Sequence, residues 1–173
     1  MAHIILIGMP GSGKTTIGKK LAKLLDLRFV DTDDLLEARM GMSLAEYRKK
    51  NSDKDFAQLE EKLGLDMVKG SMVVATGGSM ALHEAAMQHM GRLGLVVHID
   101  VPLALLKRRL VPARLARVTD LPEDGLPGLL RMREPHYRKH RDIHYKTGHR
   151  NNSSAQSREL ADIIHAHLMA KNS

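Results

Sequence analysis

The sequence predicts an α/β fold, because short apolar strands alternate with amphipathic helices along the chain. Ile4 to Ile7 form a continuous apolar run, which is typical of a strand covered on both faces. After the glycine-rich turn that follows, Ile17, Leu21 and Leu24 recur at helical spacing, with lysines on the other side. Strands that are each followed by a helix build a parallel sheet. We therefore expect three layers, with five parallel strands and helices on both faces.

The later strands and helices continue this alternation. We expect strands at 28–30, 72–75, 95–99 and 143–146. We expect two or three helices within 34–69, and others from Ser79, from Pro102 to about Leu110, from about Leu126 to Lys139 and around 155–170. Because active sites of parallel sheets lie beyond the carboxyl ends of the strands, the turns at 8–15, 31–34 and 76–79 should meet at one edge.

Length and composition exclude several classes of protein. The 173 residues are 43% hydrophobic and 27% charged, which fits a single globular domain spanning 1–173. The absence of cysteine excludes disulfides, thiolate metal sites and cysteine nucleophiles. No apolar run approaches the roughly 20 residues that a membrane-spanning helix needs, and the first residues lack the pattern of a signal peptide. We therefore expect a cytoplasmic protein with no membrane partner.

The positive charge is concentrated in one segment. The net charge is +7, and the segment 107–150 contains 12 basic and 5 acidic residues, so it accounts for the whole excess. Such a segment indicates a bound polyanion, and the alternative is a solvated helix face. Only two Phe and three Tyr are present, which offers few stacking platforms and disfavours a nucleic-acid partner.

The strongest motif is a phosphate-binding loop, GMPGSGKT at 8–15. It matches G-x-x-x-x-G-K-T and lies between a predicted strand and a predicted helix, as this motif requires. Its glycines let successive backbone N–H groups point at phosphate oxygens, Lys14 reaches the β and γ phosphates, and the Thr15 hydroxyl binds Mg²⁺. The predicted cofactors are ATP and Mg²⁺, and the predicted nucleotide-binding residues are Gly8, Gly11, Ser12, Gly13, Lys14, Thr15 and Thr16.

Two aspartates follow the second predicted strand. Asp31 and Asp33 flank one residue, so their side chains point the same way in an extended segment. Beside a triphosphate, such carboxylates can hold magnesium or accept the proton of a substrate hydroxyl. The alternative is that they cap the following helix. Next to the phosphate loop we favour the chemical role, and we assign the cap to Asp34.

A double glycine and an arginine-rich segment complete the set of motifs. Gly77 and Gly78 precede a predicted helix, where they allow a ligand to approach closely; the alternative is a tight turn between strand and helix. Arginines suit phosphates and carboxylates, because they form paired hydrogen bonds. An arginine loop with prolines at 112 and 122, next to a phosphate loop, is typical of a lid that neutralises a transferring phosphoryl group.

Together these motifs resemble those of the shikimate kinase family over nearly the whole chain. The resemblance is carried by GMPGSGKTTIGKKLA at 8–22, DTD at 31–33, F-x-x-x-E-E at 56–61, GG at 77–78 and R-x-P-x-Y at 133–137. It implies a five-stranded P-loop kinase fold with a substrate-binding helical region at about 32–62 and a lid at about 111–125. It also implies transfer of the γ-phosphate of ATP to the 3-hydroxyl of shikimate.

The resemblance assigns roles to the residues on the acceptor side. Asp31 is implied to assist magnesium through water. Asp33 is implied to grip the substrate hydroxyls and to act as the base. Gly77 and Gly78 are implied to line the substrate pocket, and Arg133 to bind the substrate carboxylate.

The resemblance also assigns roles on the nucleotide side. Arg109 and Arg150 are implied to sandwich the adenine. The R-P-L-L motif of the family is missing, so Arg114 and Arg117 compete for the role of the lid arginine that contacts the phosphates. With Lys14 and Asp33, these two arginines form the predicted catalytic set.

The sequence departs from the family at two acceptor-side positions. The family has an arginine directly after the phenylalanine of F-x-x-x-E-E, where it pairs with the shikimate carboxylate, and here that position is Ala57. The third glycine of the family is Ser79. Loss of one charged hydrogen-bonding partner costs about 1.5–3 kcal/mol. Either another basic residue replaces it, with Lys54 and Arg48 as candidates, or the acceptor differs.

The leading interpretation is an ATP-dependent kinase that acts on shikimate or a related hydroxy acid. One alternative is a kinase of this type with a different acceptor, and another is a nucleotide-binding regulatory protein with little kinase activity. Asp33 and Arg133 argue against the regulatory protein, because a pure nucleotide binder needs neither. We expect a monomer whose partner is a small-molecule substrate and not a nucleic acid.

Overall fold

The protein is built on one parallel sheet. The computed structural model describes residues 2–110, 118, 121–148 and 152–171. Its strands are β1 (His3–Ile7), β2 (Arg28–Asp31), β3 (Met72–Ala75), β4 (Gly94–Asp100) and β5 (Ile143–Lys146). All pair in parallel in the order β2-β3-β1-β4-β5. The five-stranded parallel sheet predicted from the sequence is confirmed, and β1, which leads into the phosphate loop, lies at its centre.

The helices connect these strands and cover the sheet. They are α1 (Lys14–Leu24), α2 (Thr32–Met40), α3 (Leu44–Lys50), α4 (Asp53–Leu65), α5 (Glu84–Leu93), α6 (Leu103–Arg109), α7 (Leu126–His140) and α8 (Ser153–Lys171). The prediction that an α-helix begins at Ser79 is wrong. A 3₁₀ turn over Met80–Leu82 comes first, and α5 begins only after His83, whose φ of −89° and ψ of 93° are not helical.

The core lies between the sheet and these helices. All five residues of β1 are buried, and they include Ile4 to Ile7, the apolar run that predicted a strand covered on both faces. Helix α1 packs against α8, and α5 packs against α4 and α7. A second, smaller cluster of buried side chains, Leu36, Phe56 and Leu63, holds α2 and α4 together. None of the described helices combines the length and the hydrophobicity that crossing a bilayer requires.

The register of the strands brings three turns to one edge. Ala75, at the end of β3, is paired with Leu6 of β1 on one side and with Asp31 of β2 on the other. The phosphate loop, the acidic turn and the double glycine therefore leave the sheet at the same level. The convergence predicted for the turns at 8–15, 31–34 and 76–79 is confirmed.

Candidate active site

The phosphate loop wraps around the start of α1. Gly8, Gly11 and Gly13 have φ values of 145°, 76° and 93°, which side chains disfavour. A Cβ atom on Gly8 would also lie 2.5 Å from the carbonyl oxygen of Ile99. No side chain caps α1, so its first backbone N–H groups face the loop, and the positive end of the helix dipole favours an anion there.

Lys14 is the first residue of α1 and its side chain is buried. The ammonium group donates hydrogen bonds of 2.8 Å to the carbonyl oxygen of Gly8 and 3.0 Å to that of Met9. Burial lowers the pKa of Lys14 to about 8, although the charges of Asp33 and Asp31 raise it. The loop therefore holds the ammonium group in place. A bound anion would stabilise its charged form, which burial disfavours.

Asp31 links the phosphate loop to α2. Its Oδ2 accepts a hydrogen bond of 2.7 Å from the Thr15 hydroxyl, and its Oδ1 accepts one of 3.0 Å from the backbone N–H of Asp33. Asp31 is thus the N-cap of α2, and the assignment of that cap to Asp34 was wrong. The reason is the backbone: Asp31 is still extended, with φ −108° and ψ 127°, whereas α2 already begins at Thr32.

Asp33 faces a second carboxylate across Gly77. A Cβ atom on Gly77 would lie 2.8 Å from Oδ1 of Asp33 and 2.6 Å from Oε1 of Glu60, so only glycine leaves room for both groups. Burial, with the negative charges of Asp31 and Glu60, raises the pKa of Asp33 to about 6. A carboxylate with such a pKa is suited to accept a proton near neutral pH.

Arg133 and Tyr137 come from α7 and reach the double glycine. Arg133 is only 2% exposed, and its Nη1 lies 3.0 Å from where a Cβ atom on Gly78 would be. The hydroxyl of Tyr137 donates a hydrogen bond of 2.8 Å to the carbonyl oxygen of Gly78. Burial raises the pKa of Tyr137 to about 12, which keeps it a hydrogen-bond donor. Helix α7 therefore holds the Gly77–Gly78 turn in place and positions the guanidinium group of Arg133 beside it.

One cavity of about 1290 Å³ joins these groups. Arg109 lines one end of the cavity, beside the phosphate loop. It donates hydrogen bonds of 3.2 Å to the carbonyl oxygen of Gly11 and 3.4 Å to that of Ser12. The predicted residues that line the cavity are Gly11, Ser12, Gly13, Lys14, Thr15, Thr16, Asp31, Asp33, Gly77, Gly78, Arg109 and Arg133. Arg114, Arg117 and Arg150, with most of the predicted lid, lie outside the described residues.

The structure adds residues that the motif analysis did not assign to the site. Glu60 is 1% exposed and accepts hydrogen bonds of 2.6 Å from the Ser79 hydroxyl and 3.2 Å from Nε2 of His83. Glu60 belongs to the motif F-x-x-x-E-E and Tyr137 to the motif R-x-P-x-Y, so the sequence could have predicted that both lie in the site. The partnership of His83 with Glu60 had no such signal, because it joins α4 to the residue before α5.

The family model for shikimate kinase matches residues 10–165 of the chain. The chain belongs to the shikimate kinase family. Members of this family are ATP-dependent kinases that phosphorylate a hydroxyl group. The chain is 35% identical over 145 residues to the shikimate kinase of Caldanaerobacter subterraneus subsp. tengcongensis, covering 80% of this chain and 82% of that one.

Solved structures of the family agree with the fold. The shikimate kinase from Acinetobacter baumannii in complex with shikimate superposes with a TM-score of 0.86 at 27% identity, over 96% of this chain and 94% of that one. A longer relative is also similar: threonine synthase-like 1 of Macaca fascicularis is 32% identical over 164 residues. The chain spans 22% of the length of that relative.

Proposed function

We propose that this member of the family transfers the γ-phosphoryl group of ATP to the 3-hydroxyl of shikimate. The observation that carries the proposal is the shared cavity, which places an anion-binding loop, a carboxylate with a near-neutral pKa and a buried arginine in one space. The bound shikimate of the Acinetobacter baumannii enzyme supports the choice of acceptor.

In the proposed reaction, Asp33 accepts the proton of the acceptor hydroxyl. The hydroxyl oxygen forms a bond to the γ-phosphorus, the bond from that phosphorus to the β,γ-bridging oxygen breaks, and ADP leaves with the electron pair. Lys14 and the N–H groups of the loop stabilise the charge on the phosphoryl oxygens. No covalent enzyme intermediate is needed, so catalysis rests on positioning and charge neutralisation.

Arg133 orients the acceptor in this proposal. An arginine binds a carboxylate through two parallel hydrogen bonds, which fixes orientation as well as position. Its near-complete burial strengthens this attraction, since less water competes for either group. The acceptor carboxylate at Arg133 and the reacting hydroxyl at Asp33 would thus be held at two points of one ring.

The oxygen atoms of Thr15 and Asp31 fit a magnesium ion. They lie 2.7 Å apart at the mouth of the loop, and Mg²⁺ prefers hard oxygen ligands supplied by few protein groups together with water and phosphates. Within the described part of the chain, no three His, Asp or Glu side chains form a metal site of their own. Bound there, Mg²⁺ would offset the negative charge of the triphosphate.

The remaining roles on the nucleotide side are part of the same proposal. Arg109 and Arg150 would hold the adenine, and Arg114 or Arg117 would contact the phosphates from the lid. Arg109 already lies on the phosphate loop, which supports a position beside the nucleotide. We further propose a cytoplasmic enzyme that acts as a monomer. Light scattering after size-exclusion chromatography would test the oligomeric state.

The function is tested by measuring ADP release from the purified protein with ATP, Mg²⁺ and shikimate, and by identifying shikimate 3-phosphate by ³¹P NMR. We expect ADP release to depend on shikimate. Lys14→Ala is the matched control, because it removes the loop cation and keeps every side chain of the acceptor pocket. Equal ADP release with and without shikimate, or phosphorylation of other hydroxy acids but not of shikimate, would contradict the proposal.

A further inference from the structure

A second arginine lines the acceptor end of the cavity. Arg48 belongs to α3, is half-buried, and lines the same cavity as Arg133. Its guanidinium carbon lies 4.1 Å from the centre of the Phe56 ring, a cation–π contact that holds the charge in place. The side chain is therefore positioned before any ligand binds, which lowers the entropy lost on binding.

Capping boxes fix the two helices that make this contact. Ser43 and Glu46 exchange hydrogen bonds at the start of α3, and Ser52 and Asp55 do the same at the start of α4. These caps set the first turns of both helices, so the backbone that carries Arg48 and the backbone that carries Phe56 are each fixed close to the contact.

Arg48 lies among the charged groups of the acceptor end. Burial lowers the pKa of Arg48, the charges of Glu60, Asp33 and Asp53 raise it, and the positive charge of Arg133 lowers it. Arg48 therefore lies close enough to Asp33 and to Arg133 to interact with both, and all three line one cavity. A ligand carboxylate that contacts both guanidinium groups would add an attraction to each of them.

Neither Ala57 nor Lys54 supplies a positive charge to the cavity. Ala57, directly after Phe56, is half-buried and has no charge. Lys54 is exposed to solvent. Of the two basic residues that the sequence offered as replacements, only Arg48 lines the cavity.

We propose that Arg48 and Arg133 together bind the acceptor carboxylate, so that α3 supplies the positive charge that Ala57 lacks. This inference rests on the proposed function. It assigns acceptor selectivity to a side chain of α3, and it predicts that the chain prefers carboxylated acceptors to neutral ones with the same hydroxyls.

The test compares shikimate with its methyl ester, which keeps the hydroxyls and loses the carboxylate charge. We expect Arg48→Ala to raise KM for shikimate by about 10- to 100-fold, scaled from one lost charge-assisted hydrogen bond. KM for the ester and KM for ATP should change less than about threefold, since the ester offers Arg48 no negative charge and the proposed ATP site lies at the phosphate loop. Adding Ala57→Arg to Arg48→Ala should recover part of the loss for shikimate alone.

The controls separate a binding role from a structural one. Lys50→Ala removes an exposed charge from the same helix and should leave both KM values unchanged. If Arg48→Ala does not fold, Arg48→Lys keeps the charge without the paired N–H groups and should raise KM for shikimate, though not for the ester. Thermal unfolding of each variant checks the fold.

Calorimetric binding of shikimate in the presence of ADP gives a readout that needs no turnover. If the wild type neither binds nor phosphorylates shikimate, the proposed function fails, and this inference fails with it. If the wild type uses shikimate and Arg48→Ala does so equally well, or loses equally on acid and ester, only the role of Arg48 is overturned.

Discussion

The hydroxyl of Thr15 donates a 2.7 Å hydrogen bond to the Asp31 carboxylate, and the other oxygen of that carboxylate caps the helix that carries Asp33. One aspartate thus connects the phosphate loop to the segment that holds the proposed base. A substitution at Asp31 would therefore affect both the phosphate loop and the start of α2, whereas a substitution at Asp33 removes the proposed base itself.

Lys14→Ala should reduce phosphotransfer to background and weaken ATP binding. The variant removes the ammonium group that faces the β and γ phosphates in the proposed complex. Calorimetric titration with ATP and the coupled ADP assay measure the two effects. Turnover equal to that of the wild type would exclude the proposed kinase mechanism.

Asp33→Asn should lower kcat about 100-fold or more, because it keeps the shape of the side chain and loses the proton acceptor. The affinity for ATP should change little. Asp31→Asn is the matched control: it should weaken the magnesium-dependent binding of ATP and lower kcat less. A larger loss of kcat in Asp31→Asn would reverse the two assignments.

The same Asp33→Asn variant should be more stable than the wild type at neutral pH. The folded protein raises the pKa of Asp33 from 3.8 to about 6, so between these values the folded state binds more protons than the unfolded state, and stability falls as pH rises. With solvent screening allowed for, the penalty at pH 7 is about 1–2 kcal/mol. Thermal unfolding should show a rise in Tm of roughly 2–8 °C at pH 7.5 and a smaller one near pH 4.

The pH dependence of kcat/KM should be bell-shaped. Asp33 must be ionised to accept a proton, so activity falls as pH drops below about 6. Lys14 must be charged, so activity falls as pH rises above about 8. Initial rates with both ATP and shikimate subsaturating, from pH 5 to pH 9.5, report the free enzyme and measure both limbs. A flat profile over this range would contradict both assignments.

Gly77→Ala should lower kcat/KM for shikimate by at least about tenfold, since its Cβ atom would push apart Asp33 and Glu60 at a cost of about 1–3 kcal/mol. Gly91→Ala in α5 is the control, because a Cβ atom there meets nothing within 4 Å and should add about 0.5–1 kcal/mol of stability. Denaturant unfolding and steady-state kinetics distinguish the two variants. Full activity of Gly77→Ala would show that the pocket tolerates the displaced carboxylates.

The elements that could be predicted from the sequence are those with local causes. The apolar run of β1 and the glycine spacing of the phosphate loop each depend on residues that are neighbours in the chain. Parallel pairing then follows from the alternation of strands and helices, so the edge where the turns meet was also predictable.

The features that could not be predicted depend on geometry between elements. The run 31–34 offers three carboxylates within one turn of a helix start, and only the backbone angles at Asp31 decide which one caps α2. The contact of Arg48 with Phe56 joins two helices whose relative placement no local pattern specifies.

Helix α3 has no buried residue, although it carries Arg48 into the acceptor end of the cavity. Two of its side chains, Leu44 and Tyr47, nevertheless pack against the smaller core cluster and are best kept. The other positions of the helix lie outside both core clusters, whereas changes at Asp33 or Gly77 disturb groups packed against the sheet edge. A small library at Ala45, Arg48 and Lys49, which line the cavity, is accordingly a direct route to variants that phosphorylate other hydroxy acids.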